Sequence, residues 1–219
     1  MKNRVKKGLD ALGISAVSDQ ALNQHILFID ELLRWNKKIN LTAVTAAEDV
    51  IEKHLLDSLV LIPLLQNKRK IVDIGSGAGL PVIPLAIAMP EKQFCSVDSV
   101  RKKTNFQMHI KRMLGLKNLE ILCVRIEDAD LQDSGWGDVD SVLVRAVGPL
   151  EVLLKVALPL LRPGGTLIAM KGPEGEDELR RVEQQWQNHY EFPQVTSYQL
   201  PFSGARRSLI SAVKKAQDI

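Results

Sequence analysis

Three glycines at alternate positions, Gly75, Gly77 and Gly79, follow an apolar run that ends at Asp73, in the segment Asp73-Ile74-Gly75-Ser76-Gly77-Ala78-Gly79-Leu80-Pro81. A strand that runs into such a turn lets the backbone approach a ligand closely at the carboxyl end of a parallel sheet. A second apolar run ends at Asp98, 19 residues after Gly79, where a carboxylate can accept hydrogen bonds from both hydroxyls of a ribose. Together they point to a ligand with a nucleoside part. A dinucleotide fingerprint, Gly-x-Gly-x-x-Gly, would need glycine where Leu80 stands, so a pyrophosphate cradle fits less well. Each half has a plainer reading, the glycines as a tight connection and Asp98 or Ser99 as a helix cap; the spacing between them favours the ligand.

Three cations stand where later apolar runs end. Arg145 and Lys171 follow Ser141-Val142-Leu143-Val144 and Thr166 to Met170, and Arg125 follows Ile121 to Val124. At the carboxyl ends of strands beside a cleft they are candidates to bind acceptors on a substrate or cofactor and fix its approach. Next to Arg125, Ile126 is placed to lie against an adenine face, and Asp128 to cap a helix. His54, four residues after Val50 and three before Asp57, reads as a buried histidine bonded to a carboxylate rather than a base. Trp35 reads as a core or interface anchor, and Asn36 and Asn40 as residues that bond loop backbone.

These positions need a parallel sheet. The runs Ile71 to Ile74, Phe94 to Val97, Ile121 to Val124, Ser141 to Val144 and Thr166 to Met170 alternate with helical segments near 81–89, 100–114, 149–161 and 176–189. Pro81 and Pro149 suit first turns, and Gly115 suits a helix stop. Val195 to Leu200 and Leu209 to Val213 flank Pro201-Phe202-Ser203-Gly204 as an antiparallel hairpin, which makes seven strands with the last antiparallel. Residues 1–66 read as a helical extension and 67–219 as the α/β domain. In the extension Ser18 caps a stripe of Leu22, Ile26, Ile29 and Leu33, and Thr45-Ala46-Ala47-Glu48 has the form of a capping box before Val50, Ile51, Leu55, Leu59 and Ile62.

With 219 residues, 45% of them hydrophobic, the chain can bury one sizeable core. It has no signal-like leader and no run of about 20 apolar residues, so a soluble cytoplasmic protein is expected; a monomer is the default expectation, with no sequence feature that decides it. Cys95 and Cys123 read as buried free thiols, and no metal-ligand spacing appears. The net charge of +3 is too mild to bind nucleic acid by itself. Basic clusters at Lys2 to Lys7, Lys68-Arg69-Lys70, Arg101-Lys102-Lys103, Lys111-Arg112, Arg206-Arg207 and Lys214-Lys215 would grip phosphates if the fold gathered them, and otherwise are solvated faces.

The glycine loop, the acidic end of the second strand and the closing hairpin resemble class I S-adenosylmethionine methyltransferases, a Rossmann-like fold. Trp35-Asn36-Lys37-Lys38-Ile39-Asn40-Leu41-Thr42, His54-Leu55-Leu56-Asp57-Ser58, Asp73 to Pro81, Ser141 to Ala146 and Met170-Lys171-Gly172 resemble, in order, the bacterial RNA methyltransferases once called glucose-inhibited division protein B. The resemblance covers nearly the whole chain. It implies S-adenosylmethionine as cofactor and methylation of the 7-nitrogen of one guanine in 16S ribosomal RNA, alone or within the small subunit or an assembly intermediate. It also implies cofactor contacts at Gly75, Leu80, Ile126, Glu127 and Arg145, to which the spacing argument adds Gly77 and Asp98.

The residue types agree with such a target. Methylation at carbon 5 of a pyrimidine needs a cysteine nucleophile in the cleft, and exocyclic amines are typically served by an (Asp/Asn/Ser)-Pro-Pro-(Tyr/Phe) segment where this chain has Arg145-Ala146-Val147-Gly148-Pro149. The 7-nitrogen of guanine carries a lone pair and no proton, so no general base is required. A methyltransferase of protein or small molecules, a non-catalytic RNA- or ribosome-binding protein and an NAD-dependent enzyme remain the alternatives.

Overall fold

The computed structural model describes residues 1–216 apart from Ala16, Asp130, Gln132 and Val147, and excludes the side chain of Gln194. Among the described residues seven strands form one sheet: β1 (Lys70–Ile74), β2 (Gln93–Val97), β3 (Leu119–Leu122), β4 (Val139–Arg145), β5 (Leu161–Lys171), β6 (Tyr190–Gln199) and β7 (Arg206–Lys214), in the order β3-β2-β1-β4-β5-β7-β6. β1 to β5 are parallel, and β7 runs antiparallel between β5 and β6. The chain runs outward from β1 through β2 to β3, then crosses back to lay β4 along the other flank of β1. Such a reversal opens a crevice at the carboxyl ends of β1 and β4, where open α/β sheets bind ligands.

Alternation along the strands feeds two apolar layers. Ile71, Phe94, Leu143 and Ile168 face one layer, and Val72, Cys95, Val142 and Leu167 the other. The second layer is closed by α7 (Leu150–Ala157) and α8 (Gly175–Trp186), through Leu150, Leu154 and Leu179. The first is closed by α5 (Val82–Ala88) and α6 (Arg101–Leu114), and also by α1 (Lys2–Ala11) and α2 (Asp19–Ile39). Val5, Leu9, Ile29 and Leu32 therefore share one cluster with Ile71, Leu85 and Phe106.

Between these helices and the β6–β7 edge lies a helical segment made of α3 (Ala47–Val50), a π-helical stretch (Ile51–Leu56) and α4 (Asp57–Leu59). Its apolar stripe is buried as expected, at Val50, Ile51, Leu55 and Leu59, as is Ile62 just beyond it, but Glu52, His54, Asp57 and Ser58 are buried as well. A helix sunk on all sides must satisfy its polar groups internally. Glu52 does so by accepting the Phe202 and Ser203 amides at 2.7 and 2.6 Å, which ties it to the β6–β7 turn.

Several local expectations shift. Ser18 caps α2, accepting the Ala21 amide at 3.1 Å. The buried face of α2 is Leu22, His25, Ile29, Leu32 and Asn36, with Ile26 and Leu33 at its margin, because the helix packs between two neighbours. Thr45 to Glu48 is not a capping box: α3 starts after Ala46, which has no side-chain acceptor, and Glu48 faces Arg4 at 3.7 Å. Pro81 and Pro149 precede α5 and α7 as their N-caps instead of sitting in the first turn. β3 ends at Leu122, so Cys123 is exposed in a loop, whereas Cys95 is buried and its thiol pushed up by burial. No helix among the described residues is long and apolar enough to cross a membrane.

Candidate active site

A cavity of about 450 Å³ opens at the crevice. Gly75, Gly77, Leu80, Asp98, Ile126 and Glu127 line it, and so do Arg125 and Arg145. Lys171 does not: its ammonium bonds Gly148 O at 2.9 Å and Glu178 Oε1 at 3.0 Å. Lys171, a candidate for the cleft, is instead held in a salt bridge, because Glu178 on α8 lies over the end of β5. Glu178 Oε1 also accepts the Leu150 amide, and so joins α7 and α8 to this strand end.

The glycine loop is braced from beneath. Asp98 Oδ2 accepts the Gly77 amide at 2.8 Å and Oδ1 accepts the Val100 amide at 2.8 Å, while Gln107 Nε2 donates to Gly77 O at 2.8 Å. Ser96 hydrogen-bonds both Ser76 and Gln107, which connects loop, β2 and α6. Asp98 is thus not the cap of α6, whose N-cap is Val100; it is a buried carboxylate at the cavity wall that holds the loop. Each oxygen keeps acceptor capacity beyond the amide that it binds.

Two glycines in the loop serve different ends. A Cβ at Gly79 would meet Ile83 Cδ1 at 2.3 Å and Cγ1 at 2.7 Å, so its absence lets α5 close on the loop. At Gly77 the nearest atoms to a Cβ would be 4.0 Å away, so a side chain there would fill cavity space. Both have φ in the left-handed region, +80° and +58°.

Behind the loop Asp73 is fully buried, and neither carboxylate oxygen has a hydrogen bond of good geometry. Burial pushes its pKa up to about 7, against the pull of the Val82 amide, Ser76 and the Arg145 guanidinium.

The opposite wall comes from residues before 67. Leu41, Thr42 and His54 face the cavity beside Arg145. Arg145 Nη2 donates to Lys53 O at 2.7 Å and lies 3.0 Å from His54 Nδ1, and its Nε lies 3.6 Å from Asp57 Oδ2. Its Nη1 is buried without a partner. His54 is thus bonded to Arg145 and to Thr42, not to Asp57, whose Oδ1 accepts Tyr198 Oη at 2.7 Å and lies 3.8 Å from Arg207. Burial, then the Arg145 charge, lowers the His54 pKa to about 4. Asn36 clamps the Thr42 backbone, donating to its carbonyl and accepting its amide, both at 2.9 Å. Trp35 packs on Phe106 and His109 at centroid distances of 5.5 and 5.1 Å, the anchor role expected of it.

The sequence placed neither Thr42 nor Lys103 at the cavity, and gave no sign that Asp73 is buried. A hydroxyl or lysine type carries no periodic signal; the sequence read Asn36 only as a residue that bonds loop backbone, without naming Thr42 as its partner. Val147, between Arg145 and Gly148, lies outside the described residues. The basic clusters divide. Arg101-Lys102-Lys103 opens α6 beside Asp98, Arg206-Arg207 opens β7 at the carboxyl end of β5, and Arg4 covers the Phe202 ring at 4.1 Å. Lys68 to Lys70, Lys111-Arg112 and Lys214-Lys215 lie toward the other end of the sheet, where Lys68 bonds Thr166, Lys70 bonds Gly137 O and Lys214 bonds Leu158 O and Leu161 O.

Among solved structures, the O-methyltransferase from Bacillus cereus in complex with SAH superposes with a TM-score of 0.62 at 20% identity, covering 86% of this chain and 91% of that one. Aeropyrum pernix fibrillarin with natively bound S-adenosyl-L-methionine gives a TM-score of 0.55 at 16% identity and 68% of each chain. At such identities the likeness is one of fold, the class I methyltransferase fold. In sequence, the ribosomal RNA small subunit methyltransferase G of Syntrophotalea carbinolica is 42% identical, covering 98% of this chain and 99% of that protein. The protein of the same name from Geobacter sulfurreducens is 40% identical over 94% of each. Residues 21–209 match the GidB family, rRNA small subunit methyltransferase G. A chain that carries the family's match over this span, with relatives this similar along nearly its whole length, belongs to the rRNA small subunit methyltransferase G family.

Proposed function

We propose that this chain transfers the methyl group of S-adenosylmethionine to the 7-nitrogen of one guanine in 16S ribosomal RNA. The observation that carries this reading is the convergence of Gly75, Gly77, Leu80, Asp98, Ile126 and Glu127 on one cavity at the switch point, in a chain of this family. The cavity suits a nucleoside sulfonium: side-chain-free space at Gly77, a carboxylate at Asp98, apolar wall at Leu80 and Ile126, and an unpartnered buried donor at Arg145 Nη1. S-adenosylmethionine, when bound, supplies a methyl group on positively charged sulfur.

The chain's own residues position the reactants and do not shuttle a proton. Both ring nitrogens of His54 are engaged, so it is not free to act as a base, and an attacking N7 needs none. In this reading Gly75, Gly77, Leu80, Asp98, Ile126 and Glu127 hold the donor. Arg145, held on Nη2 and Nε, offers Nη1 to an acidic group of donor or substrate. Exposed Arg125 at the rim serves phosphate, and Lys171 is a positioning residue that anchors Gly148 and hence the connection after Arg145. A guanine of folded RNA reaches the cavity extruded from its stack, with the basic clusters of the cavity end on neighbouring phosphates.

The test is the product. A 7-methylguanosine carries a fixed positive charge, and RNA cleaves there after reduction and aniline treatment. 16S RNA from wild-type cells should be cut at one site that stays intact in RNA from deletion cells, and Arg145→Ala or Lys171→Ala should each lower the cut fraction on complementation. Identical cleavage of both RNAs would overturn the assignment.

A further inference from the structure

Thr42 is held more completely than its place in a loop requires. Besides the two backbone bonds from Asn36, its hydroxyl oxygen accepts the Val44 amide at 3.1 Å and lies 2.7 Å from His54 Nε2. The direction of the last bond follows from the other ring nitrogen. His54 Nδ1 lies 3.0 Å from both Lys53 O and an Arg145 N–H. A guanidinium has donors only, so a proton on Nδ1 would set donor against donor beside a full positive charge. Lys53 O already accepts from Arg145 at 2.7 Å and does not need that proton. The arrangement that satisfies each group leaves Nδ1 as acceptor and puts the proton on Nε2, which donates to Thr42.

A hydroxyl has two lone pairs and one proton. Both Thr42 lone pairs are then taken by protein donors, and its proton has no acceptor among the described residues. The residue is half-buried and lines the cavity on the wall opposite the glycine loop, beside Arg145. The Asn36, Val44 and His54 bonds therefore fix a hydroxyl that can only donate, on a residue that lines the cavity.

Guanine and adenine share N7 but differ beside it. Guanine has the O6 acceptor there and adenine an amino donor. We propose that Thr42 is a specificity-determining residue whose hydroxyl donates to O6 of the target guanine, placing N7 for attack and rejecting adenine by opposing donor to donor. This rests on the guanine-N7 reading above and assigns the atom that selects the base. A fixed donor that meets no acceptor is costly when desolvated, which is how polar sites reject close analogues.

The experiment uses small subunits from deletion cells, and subunits reconstituted with 2-aminopurine in place of the target guanine, a base that keeps N7 and lacks O6. On guanine, Thr42→Val should lower kcat/KM by about 10- to 100-fold, the range of one lost hydrogen bond in a desolvated site. Thr42→Ser should stay within about threefold of wild type, and the Kd of S-adenosylmethionine within about twofold for both variants. On 2-aminopurine wild type and Thr42→Val should be equally slow, because the partner atom is gone; intrinsic differences between the bases cancel in that comparison. The 15N shifts of His54 should show an unprotonated Nδ1. An equal loss on both bases would make Thr42 a structural residue only, a matching loss of cofactor affinity would give its hydroxyl to the cofactor, and a protonated Nδ1 would remove the free donor; each overturns the proposal. Should Thr42→Val not fold, Thr42→Ser together with wild-type discrimination against 2-aminopurine decides: wild-type rates on that base would refute O6 recognition. If wild type does not methylate guanine N7 at all, the functional reading itself falls; if it does and Thr42→Val matches it, only the role of Thr42 falls.

Discussion

Asp98 holds Gly77: its Oδ2 accepts the Gly77 amide at 2.8 Å while its other oxygen accepts the Val100 amide, so one buried carboxylate joins the glycine loop to the start of α6. The group proposed to bind a ribose is thus also the group that shapes the loop. Asp98→Ala should weaken S-adenosylmethionine binding by about 1.5–3 kcal/mol, as for hydrogen bonds to a charged group, and should also lower the melting temperature of the free protein. Calorimetric titration and thermal unfolding read the two effects separately. Lost stability with unchanged affinity would leave Asp98 as a brace alone.

The loop glycines should part company. Gly79→Ala pushes a Cβ into Ile83 and should destabilise the fold by about 1–3 kcal/mol. Gly77→Val meets no protein atom closer than 4.0 Å at its Cβ, so its fold cost is mainly the left-handed φ, roughly 1–2 kcal/mol. Cofactor binding, in contrast, should be abolished. Denaturant melts and a cofactor thermal shift on both variants check this; a Gly77→Val protein that still binds S-adenosylmethionine normally would place the donor elsewhere.

The basic clusters predict an asymmetric salt response. Affinity for small-subunit RNA should fall as salt rises, and Arg101→Gln with Lys102→Gln, at the cavity end, should flatten that dependence by about 0.7–0.9 in log–log slope for each phosphate no longer neutralised. Lys111→Gln with Arg112→Gln, at the far end of α6, should leave the slope unchanged. Equal effects from the two pairs would mean that the RNA does not enter by the cavity face.

Stability should depend on pH through three buried groups of opposing sign. His25 and His54 have pKa values lowered to about 4 by burial, from 6.5, so the stability present above pH 6.5 is lost as pH falls toward 4. Asp73 is raised by burial from 3.8 to about 7, so the folded state binds its proton more tightly and loses stability as pH rises across that interval. Each is worth on the order of 3–4 kcal/mol at full effect. The two histidines outweigh the one carboxyl, so the melting temperature should rise between about pH 4.5 and about pH 6.5. Asp73→Asn removes the opposing contribution and should steepen that rise; a shallower rise in the variant would mean that Asp73 is ionised in the fold.

Much of the architecture was legible because it rests on local chemistry. The alternating apolar runs, the left-handed glycines at 75, 77, 79 and 115 and the carboxylate at the end of β2 are properties of neighbouring residues, and they located strands, loop and cleft within a few residues. The cofactor-side candidates meet at one cavity for the same reason: each sits just beyond a parallel strand, and parallel strands end together. What only the tertiary structure decided is which polar groups meet across the fold. Lys171 pairs with Glu178 because α8 packs over β5, His54 turns from Asp57 to Arg145 because a π-helical stretch is buried against β4 and the β6–β7 edge, and Asp98 braces Gly77 as well as facing the cavity. Thr42 lies before the α/β region altogether, yet α2, which shares the sheet's apolar core, carries it to the cavity wall. Hydrogen bonds between side chains on different elements leave no periodic trace in a sequence; they are set by how the layers pack, and that packing determines which donors and acceptors remain free for a ligand.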